Sequence, residues 1–371
     1  MLHFWFRALV PACFIALSTI ASPAAAKPVV EVAFVLDTTG SMSRLIEGAK
    51  RKIWSIATAI VEANADAEIR MGLVAYRDIG DEYVTRTFEL TADIQDLYAK
   101  LLQFEARGGG DWPESVNEAL QVGVEKLNWS SGPDTWRILF LVGDAPPHMD
   151  YPQDTKYPKV IAMAREKDII VNTVQAGGAR DTERVWREIA QLGAGRYIAI
   201  PQDGGQIVVI ETPYDDEIIE LQKRINGTVL PYGPRSKKVR VEEKQRQVAA
   251  APAASATELA SYLNKRARNV AAAEAVTGDG DLVADVAGGR KALEAVPDSD
   301  LPDALRTMAA KDRKAEIDKR LAERKVLNQR MAELVRKRDQ HIRDKRAAAP
   351  APATDSFDRA VAETLRAQLN R

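Results

Sequence analysis

Val29-Val30-Glu31-Val32-Ala33-Phe34-Val35-Leu36 runs straight into Asp37-Thr38-Thr39-Gly40-Ser41-Met42-Ser43, and this junction decides the fold. The first eight residues are apolar at every position except Glu31. Such a run predicts a strand covered on both faces, as in a parallel sheet. Beyond the junction, Leu45, Ala49, Ile53, Ile56, Ala57 and Ile60 recur at helical spacing. A buried strand, a turn rich in hydroxyls and an amphipathic helix make the opening of a βαβ unit.

The same alternation continues outward. Ile69 to Tyr76 and Ile138 to Val142 are further apolar runs of strand length, and Tyr83 to Leu90 alternates like a half-exposed edge strand. Ile169 to Val174 and Tyr197 to Ile200 add two more. Between them, helical patterns cover Ile94 to Phe104, Val116 to Leu127, Pro158 to Glu166 and Thr182 to Gln191. The prediction is an α/β fold with a doubly wound, mainly parallel sheet and helices on both faces. Ligands of such sheets bind at the carboxyl ends of the strands, so the chemistry should lie just after each strand.

The chain has 371 residues, of which 46% are hydrophobic and 28% charged, with a formal net charge of −1. That composition is globular, and the charge balance argues against a nucleic-acid partner. The charge is unevenly spread. Lys27 to Thr212 holds 20 Lys and Arg against 28 Asp and Glu, whereas Pro213 to the end holds 31 against 25. Residues 1–26 read as a secretory signal: Arg7, an apolar stretch from Ala8 to Ala21, and a small-residue end before Lys27. Secreted export, to the periplasm or the extracellular medium, follows, with an uncleaved anchor as the alternative. The single cysteine, Cys13, lies inside that stretch, so the remainder offers no disulfide, thiolate metal site or cysteine nucleophile.

Asp37, Thr39 and Ser41 form a D-x-T-x-S pattern at the end of the first strand. A carboxylate and two hydroxyls suit a hard divalent cation such as Mg²⁺. An ordinary turn leading to a helix N-cap would use the same residue types. Two more loops fall where the topology brings them beside the first. One is Arg107-Gly108-Gly109-Gly110-Asp111-Trp112-Pro113-Glu114-Ser115; the other is Gly143-Asp144-Ala145-Pro146-Pro147-His148.

Together the three loops resemble the metal-ion-dependent adhesion site of von Willebrand factor type A domains, over about Lys27 to Thr212. The Gly-Gly-Gly-Asp-x-Pro-Glu form, with Tyr76-Arg77-Asp78 upstream, is similar to the hemicentin-type and alpha-kinase-linked subgroup. The resemblance implies that Asp37, Thr39, Ser41 and Asp144 ligate Mg²⁺, or Mn²⁺ or Ca²⁺ in its place. Where the family usually offers a threonine, Gly110 or Asp111 aligns, and Asp111 is the candidate ligand. A third carboxylate there would leave the site net negative, raising cation affinity and weakening attraction for an acidic partner group. Asp111 could instead cap a helix opening at Trp112-Pro113. The implied function is divalent-cation-dependent protein binding, as an adhesion or envelope-scaffold protein, with the partner offering an oxygen to the metal.

Trp112 and His148 are the candidate partner-binding residues. Trp112 could anchor a partner or fold under its loop; His148 could be a loop hydrogen-bonder or a general base. No G-x-S-x-G elbow, P-loop or H-E-x-x-H occurs, so no enzyme is expected. The alternative is a metal-dependent hydrolase or phosphatase using the same Mg²⁺ site.

The expected organisation is a signal peptide at 1–26, the A domain with a closing helix at 27–232, and a linker at 233–257. A helical charged region at 258–346 and an Ala/Pro linker with a short terminal helix at 347–371 would follow, the whole tail mostly helical and partly disordered. Leu301 to Arg346 carries 15 basic and 8 acidic residues. Its Ile317, Leu321, Leu327, Met331, Leu334, Val335 and Ile342 stand near heptad spacing, interrupted by Arg324, Asn328 and Arg338. This helix could lie solvated, fold back as a hairpin, or dock a partner as a coiled coil. Its charge would suit an acidic partner or the anionic cell envelope. Words from Asp281-Leu282-Val283 to Arg338-Asp339-Gln340-His341-Ile342 resemble the tails of bacterial secreted A-domain proteins.

Overall fold

The structure is a computed structural model that describes residues 28–64, 67–204, 210–267, 280–348 and 357–369. The expected signal segment with Cys13, and the Ala/Pro stretch from 349 to 356, lie outside the described residues.

Six strands form one sheet: β1 (Val29–Asp37), β2 (Glu68–Tyr76), β3 (Thr85–Thr91), β4 (Thr135–Gly143), β5 (Ile169–Ala176) and β6 (Ala194–Ile200). Their order is β3-β2-β1-β4-β5-β6, with β3 antiparallel at one edge and every other pairing parallel. β1 and β4 lie in the middle, which is why these two stretches are the most continuously apolar. Their pleat divides the core. Val30, Val32, Phe34 and Leu36 join one buried cluster with Ile138, Phe140 and Val142; Ala33 and Val35 join the other with Leu139 and Leu141.

Helices cover both faces, as the alternation requires. Those on the first face are α1 (Ser43–Ala63) and α2 (Ile94–Leu101); those on the second are α3 (Val116–Glu125), α4 (Tyr157–Glu166) and α5 (Arg180–Leu192). Trp54 and Trp186 are fully buried on opposite faces.

The remainder is a helical region that folds back on this sheet. It comprises α6 (Asp215–Gly227), α7 (Arg235–Ala249), α8 (Ala253–Ala267), α9 (Leu282–Ala287), α10 (Asp303–Arg306), α11 (Ala310–Ala348) and α12 (Phe357–Leu369). The expected linker at 233–257 is therefore mostly helix, broken only around Ala250-Ala251-Pro252. The Ala, Lys, Arg, Glu and Gln of this stretch are helix formers, and Pro252 sits where the break is.

The heptad-like stripe of α11 is spent inside the chain. Leu327, Met331, Leu334 and Val335 bury against Ile218, Leu221 and Ile225 of α6 and Ala260 of α8. The two arginines that interrupt the stripe are buried with acidic partners. Arg324 donates to Asp281 Oδ2 at 2.7 Å and Thr228 Oγ1 at 2.7 Å, and Arg338 donates to Asp215 Oδ1 and Glu258 Oε1, each at 3.1 Å. α12 closes the first face: Phe357, Val361 and Leu365 enter the cluster of Phe34 and Phe140. There Gln368 and Asn172 of β5 exchange amide hydrogen bonds at 2.8 and 3.2 Å, both residues buried. Among the described residues, no helix is long and apolar enough to cross a membrane.

Candidate functional site

The site is built at the carboxyl edge of the central strands. The β1–β4 register runs to Leu36 opposite Val142, so Asp37 and Asp144 leave neighbouring strand ends side by side. Gly143 makes that approach possible: a Cβ there would collide with Tyr76 Oη and press on Asp37 Cβ at 3.3 Å.

Asp37 and Thr39 are almost wholly buried, whereas Ser41 is exposed. Asp37 Oδ1 accepts from Thr39 N at 2.8 Å and Thr39 Oγ1 at 2.7 Å, and Thr39 Oγ1 lies 3.2 Å from Ser41 Oγ. Asp37 Oδ2 is buried without a hydrogen-bond partner. Burial, and then the negative charge of Asp144, push the Asp37 carboxyl up to about 7. Asp144 accepts from Gln202 Nε2 at 2.6 Å, and its backbone carbonyl accepts from Thr182 Oγ1 at 2.9 Å. Neither Gln202 nor Thr182 stands out in the sequence, because each acts only through the fold that brings it to Asp144.

The glycine loop locks onto the first loop through the backbone. Gly40 N donates to Gly108 O at 3.1 Å, and Arg107 N donates to Thr38 O at 3.1 Å. Gly109 has φ +79°, and a Cβ there would come within 2.9 Å of Thr39 Cβ and 3.1 Å of Glu114 Oε1. Glu114 thus reaches the first site across this glycine. It is buried, its Oε2 has no hydrogen-bond partner, and burial together with Asp37, Asp78, Asp81 and Asp144 pushes it up to about 9. In the sequence Glu114 is marked only by its place in the glycine loop.

Asp111, expected as the substituted ligand beside Asp37 and Asp144, lies elsewhere. It is exposed, and its carboxylate gathers with Asp78 and His148, the ligand atoms of the three lying within 4.8 Å of one another. Among the described residues, this is the only such trio of acidic or imidazole groups. No helix opens at Trp112-Pro113 for Asp111 to cap; α3 begins at Val116.

Asp78, quoted above only as a family marker, is buried in this trio and accepts from Ser115 Oγ at 2.7 Å and Tyr151 Oη at 2.8 Å. His148 is only 6% exposed, so its ring presents no surface to a partner. It stacks on Tyr151 with centroids 4.0 Å apart, and its Nδ1 meets Asp150 Oδ1 at 2.8 Å. The backbone holds the loop as well: His148 N donates to Glu114 O at 3.0 Å, and Asn117 Nδ2 donates to His148 O at 2.7 Å. Trp112 is 49% exposed and donates from Nε1 to Asp181 Oδ2 at 2.8 Å, so its ring stands on the rim rather than under its loop.

Residues 31–212, just under half of the chain, match the family model described as von Willebrand factor A domain. Over this stretch the chain has a VWA-like fold. The chain is 28% identical over 121 residues to the alpha-protein kinase vwkA of Dictyostelium discoideum, covering 32% of this chain and 19% of the kinase. It is 31% identical over 122 residues to a putative ariadne-like RING finger protein of Acanthamoeba polyphaga mimivirus, covering 32% and 11%. The match therefore spans less than a fifth of either relative's length. Among solved structures, proximal thread matrix protein 1 from the mussel byssus aligns at 12% identity with a TM-score of 0.36, over 48% of this chain and 43% of that one. The SpRpn10 VWA domain aligns at 11% identity and the same TM-score, over 48% and 89%.

Proposed function

We propose that the A domain holds a divalent cation at Asp37, Thr39, Ser41 and Asp144 and uses it to engage a protein partner. The observation that carries this reading is Asp37 Oδ2, a buried carboxylate oxygen with no donor, facing the charge of a second buried carboxylate. A cation supplies the positive charge that this arrangement lacks. Two carboxylates and two hydroxyls are an all-oxygen set, which fits Mg²⁺, or Mn²⁺ or Ca²⁺ in its place. Glu114, rather than Asp111, is the third acidic group bearing on this centre.

A von Willebrand factor A domain suggests protein–protein interaction in general. Here the partner would approach over Ser41, the exposed member of the set, and offer an oxygen to the ion. Trp112, on the neighbouring loop, provides an apolar anchor beside that approach. Residues 1–26 would direct the chain out of the cytoplasm, to the periplasm or beyond. The outer face of α11, with Lys319, Lys325, Arg336, Arg343, Lys345 and Arg346 exposed, forms a second, basic surface for an acidic partner or the anionic envelope. We expect no turnover; the rival reading is a phosphatase using the same ion.

Calorimetric titration of Mg²⁺, Mn²⁺ and Ca²⁺ into the full chain and into Asp37→Asn tests the proposal. Binding in the first and its loss in the second is the expected result. Equal heats in both would remove the mechanism. Release of phosphate from a generic phosphate ester, lost in Asp37→Asn, would replace binding with hydrolysis.

A further inference from the structure

The imidazole of His148 faces two carboxylates with the wrong atom for a hydrogen bond. Asp150 Oδ1 can only accept from Nδ1, so Nδ1 carries a proton, and the neutral form of the ring turns an acceptor lone pair on Nε2 inward. Nε2 is buried and has no hydrogen-bond partner. It lies 3.6 Å from Asp78 Oδ2 and 4.0 Å from Asp111 Oδ2. In that form three acceptors converge on one space, the geometry a cation would satisfy.

These separations match a metal site. Zn²⁺ bonds of about 2.1 Å at tetrahedral angles place ligand atoms about 3.4 Å apart. The supporting contacts match as well. The Nδ1 bond to Asp150 fixes the tautomer and orientation of the ring, as the outer partner of a metal-bound histidine does. Ser115 and Tyr151 pin Asp78 from outside, and the stacked Tyr151 ring holds the imidazole plane. Asp111 is exposed, which leaves solvent access and an open coordination position.

We infer that Asp78, Asp111 and His148 form a second cation site, separate from the Asp37 centre, that takes a borderline transition-metal ion such as Zn²⁺. One nitrogen in the ligand set favours Zn²⁺ over Mg²⁺, which prefers oxygen ligands throughout. The two centres therefore differ in the class of ion they select. Glu114 stands between them, its carboxylate feeling both Asp37 and Asp78.

The test is titration of Zn²⁺ alone into the full chain in saturating Mg²⁺, so that the Asp37 centre is already filled. One Zn²⁺ per chain is expected, with affinity lowered at least tenfold in Asp111→Asn and in His148→Gln and unchanged within twofold in Asp37→Asn. Asp111 is a surface residue, so its variant reports on the site even if His148→Gln fails to fold. No Zn²⁺ uptake by the wild-type chain would overturn the inference. So would Zn²⁺ binding that survives Asp111→Asn but is lost in Asp37→Asn, since the ion would then be sitting in the first centre.

Discussion

The two oxygens of Asp37 have unlike surroundings: Oδ1 is satisfied by Thr39, and Oδ2 is sealed off with nothing to accept from. Its carboxyl rises from 3.8 to about 7, and that of Glu114 from 4.5 to about 9. With no metal bound, the native state therefore keeps protons that the unfolded chain releases, from about pH 4 up to about pH 9. Where the native state binds more protons, stability falls as pH rises. The metal-free protein should accordingly melt at a lower temperature at pH 8 than at pH 5, by about 2–4 °C for each kcal/mol lost in a domain of this size. Mg²⁺ should raise the melting temperature more at pH 8, where the Asp37 carboxyl is already ionised and needs no proton displaced for the ion to bind. Thermal scans in chelator and in Mg²⁺ across this range check both statements, and Glu114→Gln should flatten the metal-free slope. A melting temperature that does not change with pH would contradict the burial argument. Asp37, Thr39, Ser41 and Asp144 were legible because each follows a strand in a short pattern. Asp78 and Glu114 were not, because what surrounds them comes from neighbours 30 or more positions away in sequence.

At the scale of elements, the strands were easier to read than the long basic helix. β1 and β4 are the most continuously apolar strands because both faces are covered, and a run of that kind needs no knowledge of its neighbours. α11 looked like a heptad stripe with three faults, and two of these are its attachment points. Arg324 and Arg338 occupy the buried face because acidic groups wait opposite them on other elements. Removing one partner of a buried pair leaves an uncompensated charge, which typically costs about 3–5 kcal/mol. Arg324→Ala, which strands Asp281, should lose about that much in urea unfolding, whereas Arg330→Ala on the exposed face should unfold close to wild type. Similar losses in the two variants would show that α11 is held by its apolar stripe alone.

At the scale of the whole molecule, α12 makes the C-terminal region part of the A-domain fold. Leu365 is fully buried in the same cluster as Phe34 of β1, and Gln368 is bonded to Asn172 of β5. Leu365→Ala should cost about 2–5 kcal/mol, the range for emptying a buried leucine site. The loss should appear as a shift of the A-domain transition, followed by tryptophan fluorescence, to which buried Trp54 and Trp186 contribute. A shift confined to a separate helical transition would mean that α12 is an appendage. The order of elements, the two-faced sheet and the place of the Asp37 loop at its edge were determined by the sequence alone, because each depends on patterns within a dozen residues. Only the tertiary structure decided that Asp111 leaves the Asp37 centre for Asp78 and His148, and that the basic tail spends its apolar stripe on its own chain. Both are matters of which distant surfaces meet, and a residue's spacing along the chain carries no record of the charge or cavity it will face.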